Sequence, residues 1–184
     1  MFRDKQTAGK IPQSGFTLLE ILVAIVVLSI GLLGLASLQA VGLRTNQSAY
    51  LRSQATLLAE DMADRMRANN VAVQANNYNL PVANLSANCR SAAGCSANEM
   101  AQNDYAEWIA TLARVFPNGE GVVCIDSTPN DGDGAGDPAC DGNAVIANNP
   151  VYSVKIWWED YDREQDTGTR RQRFVMSVQL TPVI

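Results

Sequence analysis

One carboxylate lies inside an otherwise apolar segment near the start of the chain. The segment runs from Phe16 to about Leu43, and Glu20 is its only charge. A carboxylate in the hydrocarbon of a bilayer costs roughly 2.5–3.5 kcal/mol on insertion-based scales, and such residues usually have a function. The chemistry that suits Glu20 is electrostatic, because a membrane-embedded carboxylate needs a counter-ion. The alternative is a position at headgroup level, where the carboxylate stays in water.

Four cysteines follow the apolar segment: Cys89, Cys95, Cys124 and Cys140. An even count is typical of disulfides in an oxidising compartment, and three pairings are open. The pairs Cys89–Cys95 and Cys124–Cys140 are favoured because each closes a loop that contains glycine. The alternative is a four-cysteine zinc site, but the close C-x2-4-C spacing of such sites is missing. We therefore predict two disulfides.

Carboxylates alternate with glycines between the last two cysteines, at Asp131, Asp133 and Asp137. Oxygen donors on a flexible loop can bind Ca²⁺, so these three residues are calcium candidates. The EF-hand pattern fails, because Ala135 takes its fifth position and Gly142 its twelfth. A solvated turn is the favoured interpretation, and we expect neither a resident metal nor a cofactor.

The composition excludes several classes of function. The 184 residues contain no histidine, which removes Ser-His-Asp and Cys-His nucleophile systems. The net charge of −5 offers no basic surface for nucleic acid. Acidic residues near 160–164 have arginines close in sequence, so nothing marks them as acid–base groups. We predict that the chain is not an enzyme.

The first fifteen residues are polar and carry Arg3, Lys5 and Lys10. Positive charge before an apolar span keeps that end cytoplasmic, so the residues after the span are expected across the membrane. The span exceeds the ~20 residues that cross a bilayer. The alternative is a cleavable secretory signal, whose apolar core is shorter, about 7–15 residues.

Helical periodicity continues beyond the span. Apolar residues recur at spacings of three and four from Leu51 to Met66, the pattern of one buried helix face. No proline or turn cluster interrupts residues 16–68, so we predict one helix that ends at Asn69-Asn70. Its weak points are the glycines Gly31, Gly34 and Gly42. The first two either let another helix approach closely or are ordinary membrane-helix glycines.

Residues 15–20, Gly-Phe-Thr-Leu-Leu-Glu, follow a short basic leader and open the long apolar helix. This segment resembles the class III signal of type IV prepilins and pseudopilins. It combines Gly15 before the cut, Phe16 after it and Glu20 at the fifth mature position. Residues 28–39 and 58–69 are similar to PilV-type minor pilins. The strong resemblance covers about residues 9–70, and beyond them it is only architectural.

The resemblance implies that a prepilin peptidase cuts between Gly15 and Phe16 and methylates the new amino group of Phe16. It also implies that Glu20 pairs with the Phe16 ammonium of a neighbouring subunit. Physical chemistry agrees with this implication. Cleavage creates a cation whose unperturbed pKa is near ~8, and its attraction to a carboxylate is much stronger where screening is poor.

Residues 71–184 are predicted to form a small α+β head. Apolar spacing predicts a helix from Asn98, as its N-cap, to Phe116, ended by Pro117. Strands are predicted at 122–125, 152–158 and 174–180, and the charged residues 159–173 as a long hairpin loop. An antiparallel sheet on the amphipathic half of the long helix would bury the apolar face of each.

The predicted fold class is therefore α+β, with a long N-terminal helix on a small antiparallel sheet, as in type IV pilins. The predicted segments are a leader at 1–15, a transmembrane and polymerisation helix at 16–43, an amphipathic half at 44–70 and a head at 71–184.

The expected function is that of a minor pilin, which promotes initiation and assembly of a type IV pilus through helix packing. Its expected partners are other major and minor pilins, prepilin peptidase and the inner-membrane assembly machinery. It is expected to cross the inner membrane once, with a periplasmic head, and then to reach the pilus surface. The alternatives are a minor pseudopilin of a type II secretion system and a membrane-anchored periplasmic binding module.

Overall fold

A computed structural model describes residues 15–146, 149–161 and 168–180. The helices are α1 (Leu18–Ala68), α2 (Asn70–Gln74) and α3 (Ala97–Val115), with a 3₁₀ turn at Ala87–Arg90. The strands are β1 (Glu120–Ile125), β2 (Val145–Ile146), β3 (Asn149–Tyr161) and β4 (Thr169–Gln179). The predicted fold class, a long N-terminal helix with a small antiparallel sheet, is confirmed. The chain divides into a first unit, up to Leu43, and a second unit, from Arg44 onward.

The first unit is a helix without a core of its own. Its described residues, 15–43, are all exposed. Leucine, isoleucine, valine and alanine dominate the sequence, and no proline interrupts it. The helix satisfies its own backbone groups, but its apolar side chains find no cover within the unit.

The second unit is built around the amphipathic half of α1. The buried residues of α1 lie on one face of the helix: Leu51, Ala55, Ala59, Met62, Ala63 and Met66. Leu58, which lies within the predicted apolar run from Leu51 to Met66, is half-buried and packs against the same core. The α3 helix lies beside this face, and the Trp108 indole N–H donates to the Leu58 carbonyl at 2.8 Å. The predicted amphipathic helix face is confirmed.

The sheet is antiparallel, and β3 is its central strand. β1 pairs with β3 from Glu120↔Trp157 to Ile125↔Tyr152, and β4 pairs with β3 from Val151↔Gln179 to Tyr161↔Thr169. Alternation along β3 separates two environments. Its inner face (Tyr152, Val154, Ile156 and Trp158) joins the main core with α1 and α3. Its outer face contributes Trp157 to a small second cluster with Val122, Cys124 and Cys140.

Three local details differ from the prediction. The N-cap of α3 is Ser96 and not Asn98, because Ser96 and Glu99 form a reciprocal capping box. The expected loop at 159–173 is strand at both of its ends, where β3 and β4 place Glu159 opposite Arg171. The short strand β2 was not predicted. The remainder of that loop, 162–167, and the leader residues 1–14 lie outside the described residues.

Candidate assembly site and the clamped loop

The candidate assembly site is the first turn of α1 with the residues just before it. The Thr17 hydroxyl oxygen accepts a hydrogen bond from the backbone N–H of Glu20 at 3.3 Å. Thr17 therefore caps the helix, and Glu20 takes the third helical position, where the helix dipole favours a carboxylate. Within the described residues, no lysine or arginine forms an ion pair with Glu20. The cap fixes Glu20 locally and leaves its charge without a partner cation among those residues.

Glu20 lies on an apolar stretch of the helix surface. A shallow depression there is lined by Phe16, Glu20, Ile21, Ala24, Ile25 and Leu28. Phe16 itself is 79% exposed. The carboxylate is thus the one charged group in a lining that otherwise offers only hydrocarbon.

The apolar part of α1 is long enough to cross a membrane. It is the one such helix among the described residues, and no residue of its most apolar 18-residue stretch is buried. An added Cβ at Gly31, Gly34 or Gly42 would meet nothing within 4 Å. Packing inside this chain therefore does not require these glycines.

The four cysteines form two disulfides in the second unit. Cys89 is bonded to Cys95 and Cys124 to Cys140, with Cα–Cα distances of 4.8 and 6.2 Å. These are the two pairs favoured from loop composition. No described cysteine is free, so the four-cysteine zinc alternative is wrong.

The three calcium candidates do not converge. The Asp131 carboxylate accepts from the Lys155 ammonium at 2.9 Å and from the Thr128 hydroxyl at 2.7 Å. The Lys155 ammonium, with help from Thr128, holds the pKa of Asp131 below its usual value. Asp133 and Asp137 are joined through their backbones, at 2.9 Å.

Among the described residues, one trio of metal-ligand atoms is close together, and it consists of Cys124, Asp126 and Cys140. Both of its sulfurs belong to a disulfide, so the trio does not offer thiolate ligands. Neither cluster supports a metal site.

The acidic loop, defined as residues 126–141, is clamped to the outer face of the sheet by Lys155. The Lys155 Nζ lies 2.5 Å from Asp126 Oδ2 and 2.7 Å from the Pro138 carbonyl oxygen. The side chains of Lys155 and Asp126 are both 0% exposed. Sequence reasoning missed this clamp. Its only signal was a lysine between Val154 and Ile156 in an apolar strand.

Two arginines of β4 hold the same loop from the side. Arg173 donates to the Gly132 carbonyl at 2.7 Å. Arg171 pairs with Glu120, which also accepts from the Ala135 backbone N–H at 2.9 Å. The acidic loop is therefore held against the sheet by side-chain contacts, while nine of its sixteen residues are exposed, as in the solvated turn that the sequence favoured.

A separate polar network joins α1 to α3. Arg65 pairs with Glu107 at 3.1 Å and with Asp104 at 3.4 Å, and Arg90 also pairs with Glu107. The Arg90 hydrogen bond, supported by Arg65, lowers the pKa of Glu107 to about 2. Burial and the neighbouring Asp104 carboxylate raise the pKa of Tyr78. These contacts join α3 to α1 and to the 3₁₀ turn.

Two family models match the chain. The model described as prokaryotic N-terminal methylation motif matches residues 11–36, and the model described as type IV pilin Tt1218 matches residues 37–106. No curated protein and no solved structure matches the chain significantly.

The two matches and the fold support a type IV pilin family for this chain. The fold is type IV pilin-like, and the family is structural rather than catalytic, so the chain is not an enzyme. The methylation motif implies processing by prepilin peptidase and assembly with other pilus components. With the apolar helix, it also fits a membrane-anchored pilin.

Proposed function

We propose that this chain is a minor pilin of the PilV type, which promotes the initiation and assembly of a type IV pilus. The observation that carries the proposal is the first unit. It is an exposed apolar helix whose first turn holds one carboxylate, Glu20, that pairs with no described cation. Such a surface requires lipid or other helices around it. Residues 28–39 and 58–69, which are similar to PilV-type minor pilins, favour the minor over the major subunit.

The proposed mechanism begins with cleavage between Gly15 and Phe16 and methylation of the new Phe16 amino group. The new ammonium is a cation that did not exist in the precursor. It pairs with Glu20 of a neighbouring subunit, in surroundings where charges are poorly screened. The exposure of Phe16 and the cap at Thr17 support this step, because they leave the Phe16 ammonium and the Glu20 carboxylate accessible at the helix start.

The proposed topology has a cytoplasmic leader at 1–15 and a transmembrane and polymerisation helix at 16–43. The amphipathic half at 44–70 and the head at 71–184 lie in the periplasm before assembly and on the pilus afterwards. The two disulfides support the periplasmic placement, since disulfides persist in oxidising compartments. The basic residues of the leader support the orientation.

The decisive experiment is intact-protein mass spectrometry of the chain purified from its native membrane. The mature chain is expected to begin at methylated Phe16. A Gly15→Val variant should keep its leader, whereas Gly31→Ala, which lies beyond the motif, should be processed normally. A native chain that still begins at Met1 would contradict the proposal and favour an anchored binding module.

Deletion of the gene separates the pilus from the secretion alternative. We expect loss of surface pili with normal secretion of exoproteins. The reverse result would replace the minor pilin with a minor pseudopilin.

A further inference from the structure

We propose that Lys155 and Asp126 become joined by an intramolecular isopeptide bond, which links β3 covalently to the residue that follows β1. The proposal rests on contacts of the second unit alone. Its failure would therefore leave the proposed function unaffected, and failure of the proposed function would leave it unaffected.

The first argument is position. Lys155 Nζ and Asp126 Oδ2 are 2.5 Å apart, yet Oδ2 has no hydrogen-bond partner of acceptable geometry among the described residues. The nitrogen is therefore poorly oriented for a hydrogen bond, although it is close to the carboxyl group. The carbon to be attacked, Cγ, is one bond away from Oδ2. Groups held this close react with effective molarities of about 10⁵–10⁸ M when well aligned.

The second argument is the surroundings. Both side chains are 0% exposed, and Val122, Cys124 and Trp157 form an apolar cluster on the same face of the sheet. Such surroundings exclude water from the two groups. Transfer of one proton from the ammonium to the carboxylate gives a neutral amine and a neutral acid. The neutral amine is the nucleophilic form of lysine.

The third argument is a second carboxylate in the right place. Asp131 Oδ1 lies 2.9 Å from Lys155 Nζ, and its side chain is 41% exposed. It can take a proton from the attacking nitrogen and return it to the departing hydroxyl group. The Pro138 carbonyl, 2.7 Å from Nζ, accepts another N–H and holds the nitrogen in place.

The atoms of this reaction balance without any external reagent. The Lys155 nitrogen lone pair forms a bond to Asp126 Cγ, and the Cγ–OH bond breaks. The nitrogen proton passes through Asp131 to the hydroxyl, which leaves as water. An ammonium and a carboxylate thus become one amide and one water molecule, with no oxidation or reduction.

Mass spectrometry of the full chain, purified in detergent after periplasmic expression, tests the proposal. After reduction and alkylation of the cysteines, the intact mass should be one water molecule below the mass calculated for the alkylated chain with its observed N-terminus. Proteolysis should yield a branched peptide that joins Lys155 to Asp126. An unshifted mass, with both residues recovered on separate peptides, would overturn the proposal and leave a buried ion pair.

Three variants assign the roles. Lys155→Met should abolish the loss of water, and a loss that persists would place the reaction elsewhere and refute the assignment. Asp131→Asn should retain both disulfides and lose most of the linked product, and undiminished linkage would refute its role as proton shuttle. The matched control is Asp133→Asn in the same loop, which should be linked as fully as the parent chain.

Discussion

The two units treat the same amino acid in opposite ways. Leu33 of the first unit is 73% exposed, whereas Leu112 of the second is 0% exposed. The second unit satisfies its apolar residues with its own helices and sheet. The first unit is as apolar as a protein core, but none of its described residues is buried. Its helix therefore suits an apolar environment that other molecules supply.

Charges differ between the units in the same way. Glu20 has no ion-pair partner among the described residues, whereas Lys155 contacts two carboxylates and two backbone carbonyls. A buried charge is kept in a fold when partners surround it. We infer from this contrast that the partner of Glu20 lies in another molecule, whereas the partners of Lys155 lie in the same chain.

Replacing Glu20 with Val is expected to have the largest effect. Without its carboxylate, the subunit cannot pair with a neighbouring ammonium, so incorporation into pili should fall by about tenfold or more, as for a loss of about 1.4 kcal/mol. Immunoblots of sheared pili and of membranes measure this ratio. Membrane levels should be unchanged, and the control Glu60→Val, at an exposed position of the second unit, should assemble normally. Normal incorporation of the Glu20 variant would refute the pairing role.

The same leucine substitution in each unit sharpens the comparison of apolar residues. Leu112→Ala should lower the free energy of unfolding by about 2–5 kcal/mol, because it leaves a cavity in the core. Leu33→Ala should change it by less than about 0.5 kcal/mol, because Leu33 has no buried contacts in this chain. Chemical denaturation in detergent, followed by tryptophan fluorescence, measures both. Equal changes in the free energy of unfolding for the two variants would contradict the claim that only the second unit has a core.

The two disulfides extend the comparison to the loops of the second unit. Loss of Cys124–Cys140, by a double serine variant, should cost about 3 kcal/mol, and loss of Cys89–Cys95 about 2 kcal/mol, since the latter bond closes a shorter loop. Cys124 is also fully buried, so its replacement should disturb packing as well. Urea denaturation of both double variants tests this order, and a larger loss for Cys89–Cys95 would contradict it.

The smallest expected effect concerns pH. The pKa of Glu107 is lowered to about 2 from an ordinary 4.5, so its stabilising effect is present above pH 4.5 and lost as the pH falls toward 2. Above pH 4.5, the free energy of unfolding of the parent chain should exceed that of Glu107→Gln by roughly 0.5–1 kcal/mol, as for partly exposed ion pairs. Unfolding at several pH values measures the difference. A difference that persists unchanged at the acidic end would contradict the ion-pair explanation, and Glu60→Gln serves as the control.

Much of the fold was predictable because the apolar periodicity of each segment matches the face that it buries in the tertiary structure. The apolar spacing between Leu51 and Met66 has a helical period, and that face is the one that joins the core beneath the sheet. The alternation of Phe174, Met176 and Val178 likewise indicated a strand with one inward face. The charged ends of β3 and β4 were missed because their pairing depends on partners across the hairpin rather than on apolar pattern.

The sequence by itself determined the first unit: a motif at residues 15–20, an apolar helix and one charge, all contiguous and readable without a fold. Only the tertiary structure decided the role of Lys155 and the position of the acidic loop against the sheet. Asp126, Asp131 and Pro138 are 17 to 29 residues from Lys155 along the chain, and only the pairing of β1 with β3 brings them together. Local chemistry is encoded by neighbours in sequence, whereas a buried charge acquires its partners only when distant strands meet.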